Sequence, residues 1–289
     1  MDSSFLHFQG VSSSGPAKAV ARAVCRPMPP PTRSGDEAAF LRSVLTSAGL
    51  SPDSYREKPL LRRLPSCFRF LRVQTVAEAH RAVEADPSLI GGLLDVLLLG
   101  VTDFCRDRDV YRHLKEAVVP VLLGQEQPVR AWSAACSDGR ELYSFAMLLK
   151  DADLLSGAHL LGTDCRESAI AAAACGRYGL SALPEAGHEW RSHFNVDLRS
   201  AWPAAEIHTA PHWRRADLLQ AAEPGPWDIV LWRNMAIYLE PAAAESVWEA
   251  IHRELRPGGF LVTGKADNPP RFLKLARIGP CLYRKEGGR

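Results

Sequence analysis

The sequence predicts an α/β protein: a mostly parallel sheet with helices on both faces, a small inserted subdomain, and an all-α domain ahead of the sheet. Three observations lead there. Beyond residue 128, short apolar runs alternate with stretches of helical period, the pattern of strands joined by crossover helices. Between Arg177 and Arg215 that regularity lapses into interspersed Gly, Pro, Trp and His, over a length too great for a simple connection. Residues 36–99, in contrast, read as successive helices.

Composition bounds the function. The 289 residues are 46% hydrophobic and 24% charged, an ordinary globular balance that holds one large domain or two modest ones. A net charge of +2 does not point to nucleic acid. The 7 cysteines form no CxxC pair and are odd in number, which argues against a disulfide framework or a Cys-rich zinc site and suits a reducing cytoplasm. The 9 histidines form no HExxH, so no metal site is expected. The apolar run at 93–101 is interrupted by Asp95 and too short to span a bilayer. Residues 1–10 lack a basic region followed by an apolar core, so no signal peptide is expected. The expectation is a cytoplasmic protein with no nucleic-acid partner and no direct membrane insertion.

The elements follow in order. Residues 1–35 contain SSSGP and PMPPPTR and lack a sustained apolar stripe, so they read as a disordered tail. From Asp36, the side chains of Phe40, Leu41, Val44 and Leu45 share a helical face, and Gly49 stops that helix. Residues 60–71 form a second helical candidate that Pro65 cuts or kinks. Between Arg56 and Arg72 lie six Arg or Lys and one acid. Charge alone leaves open a solvated helix face or a docking surface for an acidic partner. Helices over 76–83 and 89–99 complete this region, a loop covers 100–107, and a helix over 109–123 links to the next domain. There, a strand is expected at 129–134, a turn of small residues at 135–139 and a helix at 141–150. A strand at 159–163 ends in Asp164, and an alanine-rich helix at 166–175 stops at Gly176. A strand at 227–232 runs into Arg233-Asn234, and Pro241 opens a helix over 241–255. Pro257-Gly258-Gly259 makes a turn before a strand at 260–263.

The polar residues cluster where these strands end. The loop 135–139, Asp164, Asp217 and Asn234 all fall at or just beyond predicted strand ends, the edge at which open α/β sheets bind ligands. Asp164 is either a helix cap or a carboxylate accepting from two ribose hydroxyls. Glu141 is a first-turn acid that the helix dipole favours. Tyr238, four residues after Asn234, reaches the same mouth if the chain makes a helical turn there. With no Walker A lysine and no GxSxG, the ligand is best read as an adenosine without a polyphosphate. Methyl transfer from a sulfonium suits such a site, because it needs alignment more than acid–base power.

These residues resemble, over most of 40–267, the CheR-type chemotaxis protein-glutamate O-methyltransferase family, whose members use S-adenosylmethionine. The segment SYREKPLLRRL is similar to the basic helix of that family's N-terminal domain. GVTDFCRD at 100–107 is similar to its Asn-x-Thr-x-Phe-Phe-Arg motif and keeps Thr102, Phe104 and Arg106. WSAACSDGRELYS keeps Gly139, Glu141, Tyr143 and Ser144 of its Trp-Ser-Ala-Gly-Cys-Ser-Thr-Gly-Glu-Glu-Pro-Tyr-Ser. LLGTDCRESAI resembles the strand with the ribose-binding acid, ADLL at 216–219 stands where the family has Asn-Leu-Leu, and LWRNMAIYLE keeps Arg233, Asn234, Ile237 and Tyr238. The chain departs from the family at Gly100, Cys105, Ala135, Asp138, Arg140, Leu142, Asp217 and the triplet Lys265-Ala266-Asp267.

The resemblance implies a Rossmann-like class I methyltransferase sheet. It divides the chain into a helical domain at 36–107, a linking helix at 108–128 and an S-adenosylmethionine-binding domain at 129–289, with 177–215 inserted. It implies that Arg106 and Tyr238 flank the transferring methyl, and that Thr102, Arg106 and Glu141 hold the methionine end of the cofactor or its loop. By the same resemblance Asp164 binds ribose, Asp217 and Leu218 lie beside adenine, and Arg233 with Asn234 complete the pocket. The implied activity is methyl transfer to chemoreceptor glutamates, releasing S-adenosylhomocysteine. The implied partner is an acidic helical receptor region docked by Arg56, Lys58, Arg62, Arg63, Arg69 and Arg72. A methyltransferase for another substrate, and a non-catalytic CheR-like docking or regulatory protein, are the alternatives.

Overall fold

The computed structural model describes residues 34–98, 100, 102–183 and 188–287; the tail expected at 1–35 lies outside them but for its last two residues. The chain opens with α1 (Ser34–Ser47), α2 (Glu57–Leu61), α3 (Leu64–Leu71), α4 (Val76–Ala85) and α5 (Leu89–Leu97). α1 buries Phe40, Leu41, Val44 and Leu45 on one face, and Gly49, at φ +80°, turns the chain away after it. Of the two outcomes expected at Pro65 over 60–71, a cut or a kink, the structure shows a cut, with α2 ending at Leu61 and α3 starting at Leu64. Pro65 sits in the first turn of α3, where a missing N–H is no loss, so it opens a helix instead of bending one. α4 starts with a capping box: Thr75 Oγ1 accepts from the Glu78 N–H, and Glu78 Oε2 accepts from the Thr75 N–H, both at 3.2 Å.

The linking helix expected over 109–123 is α6 (Arg108–His113), a π-helical turn at Leu114–Val118 and α7 (Val119–Leu123). Pro120 has no N–H for the Glu116 carbonyl, so the ladder slips to the wider turn.

The main sheet then builds from β1 (Arg130–Ala134), α8 (Arg140–Asp151), β2 (His159–Asp164) and α9 (Glu167–Cys175). An inserted three-stranded sheet follows: β3 (Tyr178–Gly179), α10 (His188–Arg191), β4 (Phe194–Val196) and β5 (Ser200–Pro203), in the antiparallel order β3-β5-β4. After α11 (Ala205–Thr209) the chain rejoins the main sheet through β6 (Pro211–Arg215), so the last five residues of the expected insertion are an edge strand instead. The remaining elements are β7 (Trp227–Trp232), α12 (Pro241–Glu254), β8 (Leu255–Thr263), β9 (Leu275–Gly279) and β10 (Leu282–Lys285). The turn expected at 257–259 is instead an irregular stretch within β8, which pairs with Trp227 from Leu255 onward.

The strand order is β6-β2-β1-β7-β8-β10-β9, parallel from β6 through β8, with β10 antiparallel to both its neighbours. This is the Rossmann-like class I methyltransferase sheet that the sequence led us to expect. Alternate residues feed two cores. Ala131, Ile229, Leu231, Phe260 and Val262 pack with α6, α7 and α8. Trp132, Val230, Trp232 and Leu261 pack with α12 and with α1 through α5, so the N-terminal helices cover the sheet's other face. The reversal of strand order between β1 and β7 opens a crevice at the carboxyl ends of these strands, where the functional residues gather.

Candidate functional site

The turn after β1 is tightly constrained. Ala135, Ser137 and Gly139 all have positive φ, at 57°, 52° and 86°. At Gly139 a Cβ would also lie 2.7 Å from Trp213 and 2.9 Å from the Ala173 Cβ, so only glycine fits. Two of its backbone N–H groups are paired within the protein: the Cys136 N–H donates to the Thr163 carbonyl at 2.8 Å, and the Ser137 N–H to Asp164 Oδ2 at 2.9 Å. The turn is therefore a rigid wall of the crevice, held by the acid on the neighbouring strand.

Asp164, at the end of β2, is buried at 4% exposure and faces the crevice. Its carboxylate also accepts from the Arg166 N–H and from the Arg166 guanidinium, at 3.0 Å through Nε and 3.2 Å through Nη2. Arg166 is itself buried and donates to Ser137 Oγ at 3.2 Å.

Beneath the crevice, the Arg233 guanidinium gathers the loop and sheet together. It donates to Asp107 Oδ2 at 2.6 Å, to the Arg106 carbonyl at 2.9 Å and to Glu141 Oε2 at 3.4 Å. Glu141 accepts from Ser133 Oγ at 2.8 Å as well, and burial, opposed by Arg233, holds its carboxyl above the usual range. Ser144, one turn after Arg140, accepts from the Cys105 N–H at 2.9 Å. Arg140, the departure from the family motif that reverses a charge, donates to the Thr102 carbonyl at 2.7 Å and pairs with Asp138 at 3.2 Å. The loop 102–107 is thus tied to the first turns of α8 from below and from the side.

Asn234 lies at φ 59°, and its N–H donates to Asp267, which also accepts from the Gly264 N–H at 3.0 Å. Asp267 stands where the resembled family has glutamate, and Lys265, which replaces histidine, pairs with Asp107 and Asp109 at 3.2 Å each. Burial raises the Asp267 pKa, and its second oxygen has no hydrogen-bond partner. A carboxyl raised in the folded state adds stability below its unfolded pKa and loses that contribution as pH rises through the folded one. Asp267→Asn keeps the acceptor and removes this loss. Its denaturation midpoint, measured against the parent protein, is expected to move in the variant's favour between pH 4 and pH 7.

All nine side chains singled out in the sequence line one cleft of about 260 Å3: Thr102 and Arg106 from the 102–107 loop, Glu141, Asp164, Asp217 and Leu218 beyond β6, and Arg233, Asn234 and Tyr238 beyond β7. They do not all offer free groups. Arg233 pairs with Asp107 and Glu141, and Asp217 Oδ1 accepts from the Leu219 N–H at 3.0 Å. The sequence reading missed Tyr55 and Arg166 on the cleft wall, and Asp107 and Asp267 behind it. Tyr55 arrives through a short antiparallel bridge to Leu239, in which the Arg56 N–H donates to the Tyr238 carbonyl and the Glu240 N–H to the Ser54 carbonyl, each at 2.9 Å. No local sequence signal marks this pairing. Arg166 was visible only as a charge beside Asp164.

The cleft combines charged, polar and apolar lining. Its lining includes the charged side chains of Asp164 and Arg106, and Leu218, Leu219, Val247 and the Tyr55 ring supply apolar surface. Among the described residues no group of three or more His, Cys, Asp or Glu is placed to hold a metal ion. Among them, too, no helix is long and apolar enough to cross a membrane.

Comparison with known proteins gives the chain's relatives. Residues 100–275 match the family described as CheR methyltransferase, SAM binding domain. A chemotaxis protein methyltransferase of Listeria innocua is 26% identical over 254 residues, covering 86% of this chain and 97% of its own length. Chemotaxis protein methyltransferase 1 of Pseudomonas aeruginosa is 29% identical over 236 residues, covering 75% of this chain and 86% of its own.

Proposed function

Because this chain belongs to the CheR family of S-adenosylmethionine-dependent methyltransferases, we propose that it methylates glutamate side chains of a chemoreceptor, forming glutamyl methyl esters and S-adenosylhomocysteine. The observation that carries this reading is the convergence of Arg106, Asp164, Asn234 and Tyr238 on one cleft. When bound, the cofactor supplies a methyl on a positively charged sulfur that departs as a neutral thioether. A glutamate carboxylate is ionised at neutral pH and attacks in line, its oxygen forming the new C–O bond as the C–S bond breaks, so no strong base is needed. Arg106 offers paired donors that orient a carboxylate, of the substrate or of the cofactor's amino-acid end. Tyr238 gives one hydrogen bond beside the reacting carbon. Asp164 takes the ribose, Asp217 and Leu218 border the base, and Thr102 and Glu141 frame the methionine end. Arg233 and Asn234 hold the floor on which these groups stand.

The chemistry of α2 and α3 supports an acidic helical partner. α3 buries Leu64 and Cys67 on its inner side, while Arg62, Arg69 and Arg72 are exposed, as are Arg56 and Lys58, and Arg63 is half-buried. Such one-sided charge steers an acidic surface onto this face. Esterifying a glutamate there removes a negative charge from the partner, which is a signal by itself.

The test is methyl transfer from radiolabelled S-adenosylmethionine to the cytoplasmic domain of a chemoreceptor, read as base-labile methanol. The protein is expected to label the receptor, and Tyr238→Phe to do so about tenfold more slowly, the effect of one hydrogen bond removed from the transition state. Reversing Arg62, Arg69 and Arg72 to glutamate is expected to raise KM for the receptor with kcat unchanged. Firm S-adenosylhomocysteine binding without receptor labelling would overturn the receptor assignment.

A further inference from the structure

Arg166 borders two cavities. One is the cleft just described. The other lies between α1, α4, α5 and the start of α9, and holds Asp95, Glu167 and Ser168. The carboxylate of Asp164 has about four lone-pair sites, and protein donors fill them: the Arg166 N–H and Nε on Oδ1, the Ser137 N–H and Arg166 Nη2 on Oδ2. The two backbone donors are fixed by the turns on either side. The two guanidinium donors are on a side chain that can rotate.

We infer that Arg166 is a latch on the ribose subsite: its guanidinium and a ribose diol compete for the same two carboxylate positions, so cofactor affinity depends on how readily Arg166 swings into the adjoining cavity. This rests on the reading of Asp164 as the ribose-binding acid. The adjoining cavity supplies both the room and a place for the charge. Asp95 lines it and already adds to the field that favours the Arg166 cation, and the exposed Glu167 lies at the same mouth. A buried cation leaving one acid for another loses less than one released to an apolar wall. The latch makes Arg166 a determinant of affinity for any ligand with adjacent hydroxyls, and leaves ligands without the diol unaffected.

A ligand-by-variant cycle isolates this competition from a merely structural ion pair. Binding of S-adenosylhomocysteine and of its 2′,3′-dideoxy analogue is measured by calorimetry on the full chain, on Arg166→Ala and on Arg166→Met; methionine keeps the stem's volume and removes only the donors. The affinity ratio between the two ligands is expected to widen about tenfold in both variants, one charge-assisted hydrogen bond regained by the diol. A change that is equal for the two ligands, leaving the ratio as in the parent protein, overturns the latch and makes Arg166 a structural partner of Asp164. Binding of neither ligand to the folded parent protein overturns the ribose site itself, and the latch with it.

Discussion

Replacing Arg233 by methionine is expected to lower the unfolding free energy by about 3–5 kcal/mol, the usual consequence of removing one member of a buried ionic network. Arg233 is 9% exposed, and its guanidinium contacts Asp107, Glu141 and the Arg106 carbonyl. Methionine fills much of the space but takes from Glu141 the cation that donates to it, leaving only the weaker pull of Arg106. If Arg233 supplied apolar packing alone, its removal would destabilise the fold equally at every pH. This network does not behave so. Burial already holds the Glu141 carboxyl above its ordinary value, and Arg233 is the main influence pulling it back. Without Arg233 the folded-state pKa rises further. Such a group contributes stability below the unfolded pKa and loses it as pH climbs through the folded one. The variant's deficit is therefore expected to be smallest near pH 4 and to grow toward pH 7. Urea denaturation at a series of pH values measures it, and a deficit independent of pH would mean that packing, not charge, is what Arg233 supplies.

The second large effect is on binding. Asp164→Ala is expected to weaken S-adenosylhomocysteine affinity by about 100-fold, or about 2.7 kcal/mol, by calorimetry. Two losses combine. The diol loses its acceptor, at a net worth reduced by the competing Arg166. The turn after β1 also loses its anchor, because the Ser137 N–H and the Arg166 N–H both end on this carboxylate. That turn holds Ala135 and Ser137 at positive φ, a conformation that costs non-glycine residues of order 1 kcal/mol or more and persists only where the surroundings enforce it. The dideoxy analogue should feel the second loss and not the first. Asp164→Asn keeps the side-chain shape and checks that any loss is not general unfolding, with a melting curve as the control. Undiminished affinity in both variants would remove Asp164 from the site.

What could be read from the chain alone follows physical lines. Strands buried on both faces announce themselves as apolar runs, so β1, β2 and β7 were legible, and so were the polar residues that end them. Trp213 and its neighbours in β6 were not, because an edge strand reading PHWRR has no apolar run to betray it. Proline marks a helix boundary without saying which side of it the helix lies on, which is why the sequence left a cut or a kink open over 60–71, where Pro65 begins a new helix. Within the site, residue types at strand ends were enough to gather Asp164, Asn234 and Tyr238. The pairing states of those groups were hidden. That Glu141 is neutralised by Arg233, or that Arg166 forks onto Asp164, depends on side-chain torsions and on chain segments about ninety residues apart in the first case and two in the second. Tyr55 was hidden most thoroughly, since its place in the cleft is set by a bridge to Leu239 across more than half the chain.

The packing of α1 through α5 onto the sheet has a consequence for synthesis. These helices leave the ribosome before the sheet does, yet the apolar surface that Phe40, Leu93 and their neighbours share includes Trp227, Val230, Trp248 and Leu261. At 5–20 residues per second, roughly ten to thirty seconds separate the appearance of α5 from that of the last of these side chains. The helices are thus made well before the strands that cover them. A nascent chain halted before β8 would present an open apolar helical face to whatever holdase or neighbour reaches it first.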